Sequence, residues 1–141
     1  MTNTPTQHRK VLIVEDDLEM CMVLDRVLTT TDQHVMVDWA TSVDEAISRL
    51  QEKAAQSITR PYDLILADIF LEGQSTGIDL WKLCQEEFPD VPVVVTSSLP
   101  LEKFFALVGR GNIAPPFLAK PFQVGGCRQF LEGILSYGKA S

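Results

Sequence analysis

The residues of this sequence that could carry chemistry follow four short, mostly apolar runs. The runs are 11–14, 64–67, 93–96 and 116–119, and the polar residues after them are Glu15-Asp16-Asp17, Asp68, Ser97-Ser98 and Lys120. Carboxylates bind divalent cations, and hydroxyl and ammonium groups donate hydrogen bonds to phosphoryl oxygens. If the fold brings these four ends together, the sequence predicts a site for phosphoryl chemistry beside a metal ion.

Electrostatic repulsion favours a metal ion among these acids. Two carboxylates about 4 Å apart repel by roughly 4 kcal/mol at an effective dielectric constant near 20, so several acids in one crevice need positive charge. Lys120 supplies part of that charge, and Mg²⁺ (or Mn²⁺) can supply the rest, because it binds carboxylate oxygens. We therefore expect the ion to be held mainly by Glu15 and Asp16. Asp68 is then the expected nucleophile, and Lys120 and Ser97 are expected to contact the transferred phosphoryl group.

Alternating strand and helix patterns predict how the chain positions these residues. Strand-like runs occur at 11–14, 34–38, 64–67, 93–96 and 116–119. Helical periodicity follows each run, the last over about 123–137, and Ser42 with Glu45 forms a capping-box pattern for the second helix. This alternation predicts a doubly wound α/β fold: a five-stranded parallel sheet in the flavodoxin-like order 2-1-3-4-5, with helices on both faces. In that order the first and third strands are neighbours, so their acidic ends come together.

The composition fits one globular domain, with 45% hydrophobic and 22% charged residues in a chain of 141. We expect residues 10–137 to form it, 1–9 to be a disordered or extended tail, and 138–141 to be a short tail with no output domain. The net charge of −7 opposes direct binding to nucleic acid or to anionic membranes. No apolar run approaches the roughly 20 residues of a membrane span, so a cytoplasmic location is expected. Cys21, Cys84 and Cys127 lie on predicted helix stripes and are expected to be reduced core residues.

Four segments resemble the receiver domain of bacterial two-component response regulators, and together they extend over nearly the whole chain. They are VLIVEDD at 11–17, DLILAD at 63–68, PVVVTS at 92–97 and FLAKPF at 117–122. The resemblance implies that Glu15 and Asp16 are the acidic metal-binding pair. It makes Asp68 the phosphoacceptor and a further ligand, with the Phe70 backbone carbonyl completing the metal shell. Lys120 is implied to contact the phosphoryl group.

The resemblance also implies a switch and its partners. Ser97 matches the hydroxyl that moves toward the phosphoryl group, although Thr96 competes for that role, and Phe117 matches an aromatic side chain that turns inward. The Lys120–Pro121 bond is a candidate for the cis isomer that is typical of the family. The implied donor is a sensor histidine kinase or a histidine phosphotransfer protein. The implied output is contact with a downstream protein through the fourth helix, fifth strand and fifth helix.

The loop after Asp68 departs from the family pattern. A Leu-Pro or Met-Pro usually lies three and four residues after the phosphoacceptor, with a glycine eight residues after it. Here Leu71-Glu72 stands in place of that dipeptide, and Gly77 is nine residues after Asp68 (77 − 68 = 9). We expect a loop one residue longer, which alters the surroundings of the Phe70 carbonyl. Phe70 and Leu99 stand at the two positions that line the approach to the phosphoryl group in this family, and both are apolar. We therefore expect poor orientation of the hydrolytic water and a long-lived phosphorylated state.

Other functions fit parts of the pattern. The main alternative is a receiver-like scaffold that no longer turns over phosphate, which the altered loop favours. A phosphohydrolase with an aspartate nucleophile would need a second acid where Phe70 stands. Flavin binding is disfavoured because the loop after the first strand is acidic. The leading hypothesis is therefore a signalling switch that catalyses only its own phosphorylation and dephosphorylation.

Overall fold

The structure, a computed structural model, describes residues 9–31, 33–58, 60–71, 75–109, 113–120, 128–129 and 132–133. Five parallel strands form one sheet in the order β2-β1-β3-β4-β5. The strands are β1 (Lys10–Val14), β2 (Met36–Ala40), β3 (Leu64–Asp68), β4 (Val93–Ser97) and β5 (Phe117–Ala119). The helices are α1 (Leu18–Thr31), α2 (Val43–Ala55), α3 (Gly77–Glu87) and α4 (Leu101–Val108). The predicted doubly wound α/β fold and its strand order are confirmed.

Each face of the sheet packs against its own helices. Because successive strand residues point to opposite faces, Leu12 and Val14 lie in one apolar layer, whereas Val11 and Ile13 lie in the other. The first layer contains the buried residues of α2, α3 and α4, and the second contains those of α1. Central strands that are covered on both faces are apolar throughout, which explains why β1, β3 and β4 are continuous apolar runs in the sequence.

Side-chain caps determine where α2 and α3 begin. At α2, the Ser42 hydroxyl accepts from the Glu45 N–H at 3.1 Å as predicted, but the Glu45 carboxylate accepts from the N–H of Thr41 at 3.0 Å. The predicted capping box is therefore half formed. At α3, Thr76 and Asp79 form a complete box: the Asp79 carboxylate accepts from the Thr76 N–H at 2.8 Å, and the Thr76 hydroxyl accepts from the Asp79 N–H at 3.3 Å. This box anchors the far end of the loop that follows β3.

All five strands differ from their predicted runs at one end or both. β1 begins one residue earlier than predicted, and β3 and β4 each end one residue later. β2 begins and ends two residues later than the predicted run 34–38, because its ladder pairs Met36 with Lys10 and Ala40 with Val14. β5 begins at Phe117, one residue later than predicted, since the preceding proline has no N–H to donate. β5 lies at an edge of the sheet. The predicted fifth helix over about 123–137 and the Lys120–Pro121 bond lie outside the described residues.

The buried cysteines fit the core predicted for them. Cys21 in α1 is 3% exposed and Cys84 in α3 is 1% exposed, and both are free thiols. Cys127 lies outside the described residues. None of the helices in the described ranges is both long and apolar enough to cross a lipid bilayer.

The core beneath α2 can be tested with a matched pair of leucines. Leu50 is fully buried, whereas Leu101 is 56% exposed. We expect Leu50→Ala to lower the free energy of unfolding by about 2–5 kcal/mol, because it removes packed methyl groups and leaves a cavity. Leu101→Ala should change it by less than about 0.5 kcal/mol. Urea denaturation followed by circular dichroism measures both, and equal losses would contradict this packing.

Candidate functional site

The site residues predicted from the strand ends lie together at the carboxyl edge of the sheet. Glu15 directly follows β1, Asp68 and Ser97 are the last residues of β3 and β4, and Lys120 directly follows β5. Backbone hydrogen bonds continue beyond the strand ends: the Glu15 N–H donates to the Ala40 carbonyl at 2.9 Å, and the Lys120 N–H donates to the Ser97 carbonyl at 2.9 Å. The parallel register therefore fixes the backbone from which each side chain enters the site.

The acidic side chains form a tight cluster. A carboxylate oxygen from each of Glu15, Asp16 and Asp68 lies within 4.8 Å of one from each of the other two. Glu15 is 3% exposed and Asp68 9% exposed, whereas Asp16 is open to solvent. The cluster is close enough for one cation to neutralise all three groups, and its ligands are the hard oxygen atoms that Mg²⁺ and Mn²⁺ prefer. The residues present therefore fit a divalent metal ion.

Lys120 contacts two of the three acids. Its Nζ atom is 2.8 Å from Asp68 Oδ2 and 3.3 Å from Glu15 Oε2. Burial by itself favours the neutral amine, but the hydrogen bonds and charges of Asp68 and then Glu15 outweigh burial and raise the pKa of Lys120. The ammonium group therefore stays charged, and it supplies positive charge directly beside the Asp68 carboxylate.

The charge of Lys120 does not fully compensate the cluster. Burial, followed by the hydrogen bond and the negative charge of Asp68, raises the pKa of Glu15 to about 7, although Lys120 acts in the opposite direction. A buried carboxyl group with this pKa is partly protonated near neutral pH. The site therefore has room for more positive charge than Lys120 provides.

Both hydroxyl residues at the end of β4 are buried, at 1% exposure each. Pleat alternation distinguishes them: Val95 lies in the layer of α2, α3 and α4, so Ser97 shares that face, whereas Thr96 shares the face of Val94 and α1. The Ser97 hydroxyl accepts from the N–H of Leu99 at 3.1 Å. Ser97 is therefore the hydroxyl on the face that leads toward α4.

An aromatic stack links β5 to α4 on that same face. The rings of Phe117 and Phe104 are stacked, with centroids 4.5 Å apart and planes at 30°. Phe104 is 1% exposed and belongs to the core, whereas its neighbour Phe105 is 51% exposed. The sequence alone does not tell which of these two adjacent rings is buried. The structure does, because only one of them lies on the face of α4 that packs against the core.

The described part of the loop after β3 begins with a tight turn. Asp68 Oδ1 accepts from the Phe70 N–H at 3.1 Å, and the Phe70 side chain is 54% exposed. Leu99, which lies two residues after the end of β4, is half-buried. Residues 72–74 lie outside the described part of the chain, so the predicted extra residue of this loop stays a prediction, as does the Phe70 carbonyl ligand.

The position of Cys21 beside the acids was not predicted from the sequence. Its thiol donates to the Glu15 carbonyl at 3.6 Å. Burial and then the negative charges of Glu15, Asp17 and Asp16 raise the pKa of Cys21 to about 11, so the thiol stays protonated and unreactive. Helical periodicity predicted only that this cysteine is buried.

The sequence matches the family model of the response regulator receiver domain over residues 11–132. The chain belongs to this family. A comparison with curated proteins gave no match.

Solved structures agree with the receiver fold. The receiver domain of NtrX from Brucella abortus is 24% identical with a TM-score of 0.70, and the match covers 89% of this chain and 98% of that one. A CheY-like receiver domain protein from Methanospirillum hungatei JF-1 is 17% identical with a TM-score of 0.75, covering 95% and 98%. The phosphorylated cyanobacterial phytochrome response regulator RcpA is 20% identical with a TM-score of 0.71, covering 95% and 96%. At these identities the likeness establishes the fold.

The raised pKa of Glu15 predicts how the metal-free receiver domain responds to pH. A carboxyl group whose pKa is higher in the folded state contributes stability that is fully present below its ordinary value of 4.5 and is lost as the pH rises through about 7. We therefore expect the free energy of unfolding to fall by on the order of 1–3 kcal/mol between about pH 5 and pH 8. Urea denaturation in the presence of a chelator measures this slope.

Glu15→Gln should flatten the slope, because the amide does not titrate. Glu52→Gln is the matched control, since Glu52 lies on the exposed face of α2. A Glu15→Gln variant that keeps the wild-type slope would show that Glu15 is not the group responsible.

Proposed function

We propose that this receiver domain accepts a phosphoryl group on Asp68 in the cytoplasm, from a phosphohistidine on a sensor histidine kinase or a histidine phosphotransfer protein. The observation that carries the proposal is the setting of the Asp68 carboxylate. It lies 2.8 Å from the Lys120 ammonium group and within 4.8 Å of carboxylate oxygens of Glu15 and Asp16. In this position a nucleophile lies beside an ammonium group that can donate hydrogen bonds to phosphoryl oxygens. It also lies beside carboxylates that can bind a metal ion.

The transfer makes one bond and breaks one. An Asp68 carboxylate oxygen attacks the phosphorus atom, and an O–P bond forms as the P–N bond to the donor imidazole breaks. The imidazole leaves with the electron pair of that bond and takes up one proton. The product is an acyl phosphate on Asp68, whose added negative charge the Lys120 ammonium group offsets.

The carboxylates of Glu15, Asp16 and Asp68, with the Phe70 backbone carbonyl, are the proposed ligands of Mg²⁺ or Mn²⁺. When bound, the ion neutralises charge that develops on the transferring phosphoryl oxygens. Lys120 acts from the side of Asp68 Oδ2 and orients that carboxylate. The chain supplies position and charge, and we propose no catalysis beyond its own phosphorylation and dephosphorylation.

In this proposal Ser97 responds to the phosphoryl group. In the proposed switch its hydroxyl releases the Leu99 N–H and donates to a phosphoryl oxygen. Ser97 shares a face with Phe117, which stacks on Phe104 of α4, so a shift of Ser97 alters the packing of α4. We propose that a downstream protein binds the α4-β5-α5 face, where α5 is the helix predicted over about 123–137.

A scaffold without phosphate turnover is the second candidate function. It is favoured by the double contact of Lys120 with Glu15 and Asp68, which partly neutralises the acids without a metal ion. On this alternative the site is a structural charge cluster, and partner binding does not depend on phosphorylation.

Incubation with acetyl phosphate and Mg²⁺ separates the two candidates. We expect the intact mass of the wild-type protein to increase by one phosphoryl group, because Asp68 is its acceptor. Asp68→Asn should gain none, and Asp90→Asn, which replaces an exposed turn residue, should gain one. A gain by Asp68→Asn would refute the assigned acceptor, and no gain by the wild type would favour the scaffold.

The lifetime of the phosphorylated state tests the apolar approach to the site. Phe70 is 54% exposed and has no group that could orient water, so we expect the wild-type acyl phosphate to be long-lived for a receiver domain. Phe70→Asn should shorten its half-life at least about threefold, because an amide can hold the hydrolytic water in line. Phe105→Asn, at a similarly exposed ring on α4, is the control. A wild-type half-life of seconds in Mg²⁺ would contradict the expectation.

A further inference from the structure

Gly77, the first residue of α3, lies directly against the backbone of the proposed phosphoacceptor. Its N–H donates to the carbonyl of Ile69 at 3.1 Å. A Cβ atom on Gly77 would lie 2.4 Å from the Asp68 carbonyl oxygen, 2.9 Å from the Asp68 carbonyl carbon and 3.3 Å from the Ala67 carbonyl oxygen. All three neighbours are backbone atoms, so no side chain can rotate away to make room.

The requirement at Gly77 is for space. Among the described glycines a positive φ occurs at Gly109, where it is 96°, and Gly77 has no such value. An alanine at position 77 therefore suffers no strain in φ, and its effect comes from the contact with Asp68 alone. This makes one added methyl group a clean probe of the contact.

The helix side of this contact cannot retreat easily. The capping box of Thr76 and Asp79 holds the first turn of α3. Ile78, Leu80 and Trp81 are 5%, 0% and 7% exposed and pack in the core layer under α3. Moving the helix outward would open that packing, which protein interiors resist because they are close-packed.

On the strand side, the β1–β3 ladder ends at Ala67, so β4 is the one neighbouring strand with which Asp68 is paired. Asp68 is paired with Thr96 at the last position of the β3–β4 ladder, and the Ile69 N–H donates to the Thr96 carbonyl at 3.0 Å. Beyond this point the chain enters the loop. A methyl group on Gly77 would therefore push the end of β3, and with it the carboxylate that reaches Lys120 at 2.8 Å.

We propose that Gly77 is a positioning residue for Asp68: the absence of a side chain lets α3 seat on the Asp68 carbonyl and so holds the carboxylate among Lys120, Glu15 and Asp16. This inference deepens the proposed function and rests on it. A contact of 2.4 Å is about 1 Å shorter than an ordinary van der Waals contact, and a misplacement of about 1 Å at a reacting group can cost on the order of 100-fold in rate.

The test compares Gly77→Ala with two controls. Gly133→Ala adds the same methyl group where no atom lies within 4 Å. Leu28→Ala truncates a fully buried side chain of the α1 layer, on the other face of the sheet, and serves as a control for lost stability. For each variant, calorimetry gives the Kd for Mg²⁺, and the initial rate with acetyl phosphate is measured at saturating Mg²⁺. The reaction forms the O–P bond to Asp68, breaks the P–O bond to the acyl group and releases acetate with its electron pair.

We expect Gly77→Ala to raise the Kd for Mg²⁺ about fivefold or more and to lower the rate at least about tenfold. Both controls should stay within about twofold of the wild type. A double variant, Thr76→Ala with Gly77→Ala, should recover part of the rate although it is less stable, because the loosened first turn of α3 then moves in place of Asp68. A purely structural role for Gly77 predicts that this double variant is the worst of the set.

Wild-type values for Kd and rate in Gly77→Ala would overturn the inference. If Gly77→Ala does not fold in buffer, the same comparison is made for all variants in a stabilising osmolyte. If the wild type binds Mg²⁺ but gains no phosphoryl group, the proposed function fails, and the Kd values alone decide the role of Gly77. If the wild type also binds no Mg²⁺, both proposals are overturned.

Discussion

Repulsion among buried carboxylates is the constraint on which the rest of this structure depends. Glu15 and Asp68 are almost fully buried, Asp16 is beside them, and Lys120 is the ammonium group in contact with the cluster. Burial, and then the hydrogen bond and charge of Asp68, raise the pKa of Glu15 although Lys120 acts in the opposite direction, so the Lys120 ammonium group does not offset them. In the function we propose, this imbalance gives the site its affinity for a divalent cation, and Asp68 is the nucleophile beside that cation.

The fold brings these acids together at one edge of the sheet. Parallel strands deliver their carboxyl ends to one edge, and β1 and β3 are neighbours because the strand order reverses there. Apolar layers pack on both faces of the sheet, so moving the strands that carry the acids apart would open that packing. Ser97 and the stack of Phe117 on Phe104 lie between the same edge and α4, and this is the packed route by which we propose that a change of charge reaches the surface.

The sequence predicted the fold and the meeting of the acids because both follow from local patterns. Continuous apolar runs identify buried strands, and the strand order then brings Asp68 to Glu15. The sequence favoured Ser97 but left Thr96 as a competitor, since the choice between them depends on which face of the sheet each side chain takes. The sequence located Gly77 as the glycine of the loop after Asp68, but its contact with the Asp68 backbone was not foreseen, because the distance between a helix and a strand end is a property of packing.

The response of the metal-free protein to Mg²⁺ tests the central constraint most directly. Thermal unfolding of the wild type is followed at pH 7.5 as Mg²⁺ is added, with Asp68→Asn as the comparison. Binding to the folded state should raise the free energy of unfolding by about 1.4 kcal/mol at ten times the Kd, and the effect should saturate as for one ion. Asp68→Asn should respond more weakly, because it removes one of the charges in the cluster. An unfolding temperature of the wild type that does not change as Mg²⁺ is added would contradict the account.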